Sequence, residues 1–153
     1  MEGKSNKPLY VMFADDDEDD RMLFHDAVTE INSDIQLQIV NDGEELIQIL
    51  LKPVTLLPEI VFLDLNMPRK NGFECLTEIR SNDILHDVFI VIYSTTGSQS
   101  EIEETFKKGA NLFINKPNNY NDLLTILKRI FTMDFDNHIQ PPEKDKFVLA
   151  AKI

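Results

Sequence analysis

Residues 9–20 read LYVMFADDDEDD: an apolar run from Leu9 to Ala14 that stops abruptly at Asp15-Asp16-Asp17-Glu18-Asp19-Asp20. A run this short, without polar alternation, reads as a strand buried on both faces. Its exit is a block of carboxylates. In a parallel α/β sheet, chemistry gathers at the carboxyl ends of the strands. This one stretch therefore predicts both a central sheet and an acidic rim.

Working outward, Ile35–Val40, Ile60–Leu63, Val88–Tyr93 and Leu112–Ile114 are runs of the same kind. The segments between them carry helical spacing. Phe24, Ala27, Val28 and Ile31 fall on one helical face. Leu46, Ile49 and Leu50 do so after Asp42-Gly43, with Asp42 as the N-cap. Phe73, Leu76 and Ile79 follow Asn71-Gly72, and Ile102 and Phe106 precede Gly109, a helix stop. Leu123, Ile126, Leu127 and Ile130 form the last stripe. Strand–helix units in succession imply a parallel sheet with helices on both sides, and right-handed crossovers leave few topologies. The expected fold is α/β: a doubly wound, five-stranded parallel sheet in the order 2-1-3-4-5, flavodoxin-like. It spans residues 8–133. Residues 134–153 form a C-terminal tail or arm, a polar, proline-broken spacer followed by the apolar FVLAAKI.

Composition narrows the function. The chain has 153 residues, a net charge of −12 and 27 acidic against 15 basic side chains. Phosphate backbones and anionic lipids select Lys/Arg-rich faces, so neither nucleic acid nor membrane is the expected partner. The single cysteine, Cys75, excludes an internal disulfide and reads as a small buried hydrophobe. MEGKSNKP lacks the apolar core of a signal peptide, and no run approaches the ~18 residues of a membrane span. A cytoplasmic protein without an attached output domain is expected.

The strand ends carry the chemistry. After the third run comes Asp64-Leu65-Asn66-Met67-Pro68, after the fourth Ser94-Thr95-Thr96, and after the fifth Asn115-Lys116-Pro117. In the predicted strand order these ends and Asp15-Asp16 converge. Glu18, Asp19 and Asp20 suit a helix N-terminus, where carboxylates meet the dipole. Asp15 and Asp16 sit at the exit of a buried strand instead. Crowding them against Asp64 costs on the order of several kcal/mol unless a hard divalent cation offsets the charge. A lysine after the last strand is by default a snorkelling surface residue. Beside carboxylates, Lys116 can instead pair with Asp64 and bind an added phosphoryl oxygen. The Lys116-Pro117 bond is a candidate for the cis form, which would lock the loop. Ser94 offers a hydroxyl, whose ordinary role is loop hydrogen bonding. Carboxylates for metal, one to attack, a hydroxyl and an ammonium are what phosphoryl transfer needs. His25, His86 and His138 lie away from the strand ends.

These motifs in combination (ADDDEDD, FLDLNMPRKNG, Ser94-Thr95 and Lys116-Pro117) resemble the CheY-like receiver domain of bacterial response regulators. The spacings of 30 residues from Asp64 to Ser94 and 22 from Ser94 to Lys116 agree with that family. The resemblance implies that Asp64 is the phosphoacceptor, taking its phosphoryl group from a sensor histidine kinase or phosphotransfer protein. It implies Mg²⁺ held by Asp15, Asp16, Asp64 and the backbone carbonyl of Asn66. Ser94 and Lys116 would bind the phosphoryl group, and Gly72 would serve the tight turn after the third strand. Phe113 stands where the family often has a switch tyrosine, and so lacks the hydroxyl. Asn66 and Thr96 stand where family members tune dephosphorylation. Such a module catalyses only its own phosphoryl transfer and dephosphorylation, and is not otherwise an enzyme.

Two rivals stand beside this reading. Asp15-x-Asp17 superficially matches the start of an aspartate-nucleophile phosphatase of the haloacid dehalogenase type, but that leaves Asp64-Leu65-Asn66-Met67-Pro68 unexplained. A receiver fold that binds without phosphorylation would lack the acceptor, a metal carboxylate or the lysine, and all are here. The tail, with Phe147, Val148 and Leu149, is expected to pack on its own domain or simply be mobile, or else to reach across to a second subunit in a homodimer.

Overall fold

The computed structural model describes residues 8–52, 56–133, 135 and 143–150. The strands are β1 (Tyr10–Ala14), β2 (Gln36–Val40), β3 (Ile60–Leu63), β4 (Phe89–Ser94), β5 (Leu112–Asn115) and β6 (Val148–Leu149). The helices are α1 (Glu18–Ile31), α2 (Gly43–Leu50), α3 (Gly72–Ser81), α4 (Gln99–Lys107) and α5 (Tyr120–Phe131), with a short 3₁₀ turn at Lys144–Lys146. All strand pairs are parallel, in the order β2-β1-β3-β4-β5-β6. The predicted order of the first five is observed, and a sixth strand is added at the β5 edge.

Period-two alternation divides the strand residues between two cores. Met12, Val61, Leu63, Ile90, Ile92 and Phe113 face α2, α3 and α4. Val11, Phe13, Ile60, Phe62, Val91, Tyr93 and Ile114 face α1 and α5. Burial on both faces explains why β1, β3 and β4 read as continuous apolar runs. The expectation of two-sided burial fails for β2. Its sequence is QLQIV and only Val40 is buried, because it forms the outer margin with a single partner strand.

Local signals account for the helix ends. Asp42 caps α2, as expected, and Asp17, which had no assigned role, caps α1 by accepting from the Asp20 N–H. Gly109, past the end of α4, has φ 97°, which only glycine adopts without strain. Cys75 is fully buried, and burial pushes its thiol up to about 12. No described peptide bond is cis, so Lys116-Pro117 is trans and the cis expectation is corrected.

The apolar end of the tail packs on its own sheet. β6 pairs Phe113 with Val148 and Ile114 with Leu149, and the Phe113 N–H donates to the Phe147 carbonyl at 2.9 Å. The Phe147 ring is fully buried, 5.2 Å from Phe106 of α4 and 6.2 Å from Phe113. Arg129 of α5 donates to the Ala150 carbonyl at 2.6 Å. Residues 147–150 therefore take the packed arrangement among those expected for the tail. His138 and the spacer 136–142 lie outside the described residues.

Candidate phosphoryl-transfer site

Each site residue follows the last residue of a strand or ends one, and the backbone ladder fixes its position. The Asp15 N–H donates to the Val40 carbonyl at 3.2 Å and the Asp64 N–H to that of Ala14 at 3.0 Å. The Lys116 N–H donates to the Ser94 carbonyl at 2.7 Å. Because β1, β3, β4 and β5 are consecutive neighbours, Asp15, Asp64, Ser94 and Lys116 share one rim. Their side chains are all nearly or fully buried.

Carboxylate oxygens of Asp15, Asp16 and Asp64 lie within 4.8 Å of one another, so the three could hold a metal ion. Asp15 and Asp64 are buried and Asp16 is exposed. Burial, then the Asp15 charge, pushes the Asp64 carboxyl up to about 7, against Lys116 and the Asn66 N–H, which lower it. Burial also raises Asp15, opposed by Lys116 and the Asp17 N–H. One Asp15 oxygen accepts that N–H at 2.9 Å. The other lies 2.8 Å from the Lys116 amine but receives no well-directed hydrogen bond. A buried carboxylate oxygen with a free lone pair, beside two more carboxylates, is the donor set a hard divalent cation takes. The Asn66 N–H bonds Asp64.

Lys116 departs from expectation in its partners. Its amine is 2.8 Å from Asp15, 2.7 Å from Asp20 and 3.9 Å from Asp64. It pairs with Asp64 only loosely, and Asp20, read from sequence as part of a solvated helix start, is one of its two close partners. It also lies 5.4 Å from the centre of the Tyr93 ring. Burial alone would lower the amine's pKa, but Asp15 and Asp20 outweigh it and the net shift is upward.

Ser94 is likewise engaged. Its hydroxyl lies 3.0 Å from a carboxylate oxygen of Glu101 in the first turn of α4, and Thr96 donates to the same oxygen. The sequence reading missed Glu101. Its one signal was the spacing Ser98-x-x-Glu101, a capping-box pattern.

Gly72 serves the site by close approach. A Cβ there would lie 2.3 Å from the Asp64 carbonyl oxygen and 2.8 Å from the Leu65 Cα. Gly72 thus serves the tight turn through its missing side chain, and the left-handed residue of that loop is Arg69, φ 68°. Phe113 is fully buried, with its backbone under β6.

Comparison with known proteins agrees with this geometry. Residues 11–128 match the family model for the response regulator receiver domain. The response regulator Rcp1 of Synechocystis sp. is 26% identical over 134 residues, which is 85% of this chain and 91% of that protein. The chemotaxis protein CheY of Thermotoga maritima is 33% identical over 107 residues, 70% of this chain and 84% of that protein. Among solved structures, the phosphorylated cyanobacterial phytochrome response regulator RcpA superposes with a TM-score of 0.74 at 28% identity. It covers 80% of this chain and 91% of its own. No helix among the described residues is long and apolar enough to cross a membrane.

Proposed function

Because the chain belongs to the response regulator receiver domain family, we propose that Asp64 accepts a phosphoryl group from a histidine kinase or phosphotransfer protein and that a protein-binding surface changes in consequence. The observation that carries this reading is the convergence of Asp15, Asp16, Asp64 and Lys116 on one rim.

Asp15, Asp16, Asp64 and the Asn66 carbonyl would hold Mg²⁺. When bound, the cation offsets the charge between the aspartates and an anionic donor. Asp64 presents the attacking carboxylate oxygen, kept in place by the β3 ladder and the Asn66 N–H. The phosphorus–nitrogen bond of a phosphohistidine breaks as the Asp64 oxygen–phosphorus bond forms, and the electron pair leaves with the imidazole. Lys116, held at the rim by Asp15 and Asp20, has N–H groups for the arriving phosphoryl oxygens. Ser94 supplies the hydroxyl.

A population change of about 100-fold needs about 2.7 kcal/mol of differential binding, within reach of one or two charge-assisted hydrogen bonds. The surface concerned is α4, β5 and α5. Rotation of Phe113 there requires Phe147 to yield, because the two rings pack together. The module turns over no external substrate. The haloacid dehalogenase rival gains no support from Asp17, whose carboxylate caps α1.

Intact-mass labelling with a small phosphodonor tests the reading. Wild-type protein should gain one acid-labile phosphate in Mg²⁺ and lose that gain in EDTA. Asp64→Asn should not label, and equal labelling of that variant would refute the assignment.

A further inference from the structure

The Ser94 hydroxyl carries one proton, and in this structure the proton already has a destination. Ser94 is fully buried, and its oxygen lies 3.0 Å from Glu101 Oε1. The Thr96 N–H donates to the same serine oxygen at 3.3 Å, and the Thr96 hydroxyl oxygen is also 3.3 Å away, but the Glu101 carboxylate is nearer and charged, which makes it the better acceptor of the serine proton. Thr96 donates its own hydroxyl to Glu101, so two residues of the β4 exit are tied to one carboxylate. Lys116 differs, because an ammonium has three donors and can keep Asp15 and Asp20 while turning one towards a newcomer. Ser94 cannot donate to Glu101 and to a phosphoryl oxygen together.

Glu101 lies at the third position of α4, where the Ser98 hydroxyl accepts its N–H at 3.2 Å. A glutamate at this position can reach back to the N-cap N–H and close a capping box. Its carboxylate instead binds Ser94 and Thr96. The start of α4 is thereby fastened to the β4 exit through two hydroxyls, one of which, Ser94, the phosphorylated state needs.

We propose that Glu101 is a positioning residue that latches Ser94 in the resting protein, so that a phosphoryl group on Asp64 must win the serine proton from Glu101 and in doing so leaves Thr96 alone to hold the Glu101 carboxylate at the β4 exit. The inference rests on Asp64 as the phosphoacceptor. No atom leaves the protein in the exchange: the serine hydroxyl rotates, and the Glu101 carboxylate, keeping Thr96, can take water in place of Ser94.

The test is labelling by phosphoramidate in Mg²⁺ at limiting donor, read by intact mass, for wild type, Glu101→Gln, Glu101→Ala, Ser94→Ala and the Ser94→Ala/Glu101→Ala double variant. Losing a charge-assisted acceptor should raise the equilibrium labelled fraction of Glu101→Ala about tenfold over wild type. Glu101→Gln keeps a neutral acceptor and should fall between the two. In the Ser94→Ala background, Glu101→Ala should change the fraction by less than about twofold, since the partner is gone. An equal rise in both backgrounds would mean that Glu101 merely repels the anionic donor, and would overturn the latch. A labelled wild type with no gain in Glu101→Ala would overturn it as well, leaving Asp64 untouched as acceptor. A wild type that takes no phosphate would bring down the acceptor assignment and the latch together.

Discussion

Helix α3 opens with Asn71 and, at its third position, Glu74; helix α4 opens with Ser98 and, at its third position, Glu101. Both follow a strand of the rim, and both carry the same capping pattern. In α3 the box closes: Asn71 accepts the Glu74 N–H and Glu74 accepts the Asn71 N–H, each at 2.9 Å. In α4 the glutamate is diverted into the site. Gly72 and Leu65 further bind the start of α3 to the loop after Asp64, through an N–H donated to the Leu65 carbonyl at 3.0 Å. On the reading proposed above, one half of the rim, carrying Asp15 and Asp64, is held in place, and the other, carrying Ser94, exchanges partners. A phosphorylation site needs both. Metal and nucleophile must not move, whereas a signal requires that something does.

The sharpest way to break this contrast is Gly72→Ala. The added Cβ meets backbone rather than a yielding side chain, so overpacking should cost about 3 kcal/mol. For a chain of this size that corresponds to a fall in Tm of about 10 °C. A melt within a degree or two of wild type would show that the fixed half can give.

Next come the two helix starts, compared directly. Asn71→Ala should cost about 1 kcal/mol, seen as a lower denaturation midpoint, and should leave the labelled fraction nearly unchanged. Glu101→Ala should also cost about 1–2 kcal/mol, because it strips a charge-assisted partner from buried Ser94, but unlike Asn71→Ala it should shift labelling. If the Asn71 variant moved labelling as much as the Glu101 variant, the two halves would not be distinct.

The smallest effect concerns pH. Burial, then the Asp15 charge, pushes the Asp64 carboxyl up to about 7, against an ordinary carboxylate value of about 4 in the unfolded chain. Between those values the native state holds a proton that the unfolded chain has shed, so this group's contribution to stability falls as pH rises and is lowest above about 7. Metal-free wild type should thus gain Tm relative to Asp64→Asn on going from pH 8 to pH 5.5. Mg²⁺ should stabilise wild type more at pH 8 than at pH 5.5. Parallel melting curves for the two proteins across that range would contradict the assigned burial cost.

Much of this was legible in the chain. The apolar runs located five strands to within a residue or so, and topology then brought Asp15, Asp64, Ser94 and Lys116 together without any knowledge of distances. What escaped was of a different physical kind. Asp20 and Glu101 act through the direction of a side chain, and the sequence around each is equally well explained by an ordinary helix start. Gln36 and Gln38 in β2 already hinted at an outer strand, but the β-branched end of that run masked the hint. For residues 147–149 the apolar content signalled burial, but not which surface would receive it. A two-residue strand is specified by the pocket around Phe147 more than by its own composition.

That short strand has a consequence for solubility. The margin of a sheet offers unsatisfied N–H and C=O groups to any passing chain, and proteins that leave a long, flat margin open tend to clump. Here Val148 and Leu149 occupy that position beside β5, while the opposite margin, β2, presents glutamine side chains. A version of this protein trimmed before residue 143 would uncover an adhesive border next to Phe106 and Phe113, rings that Phe147 now screens.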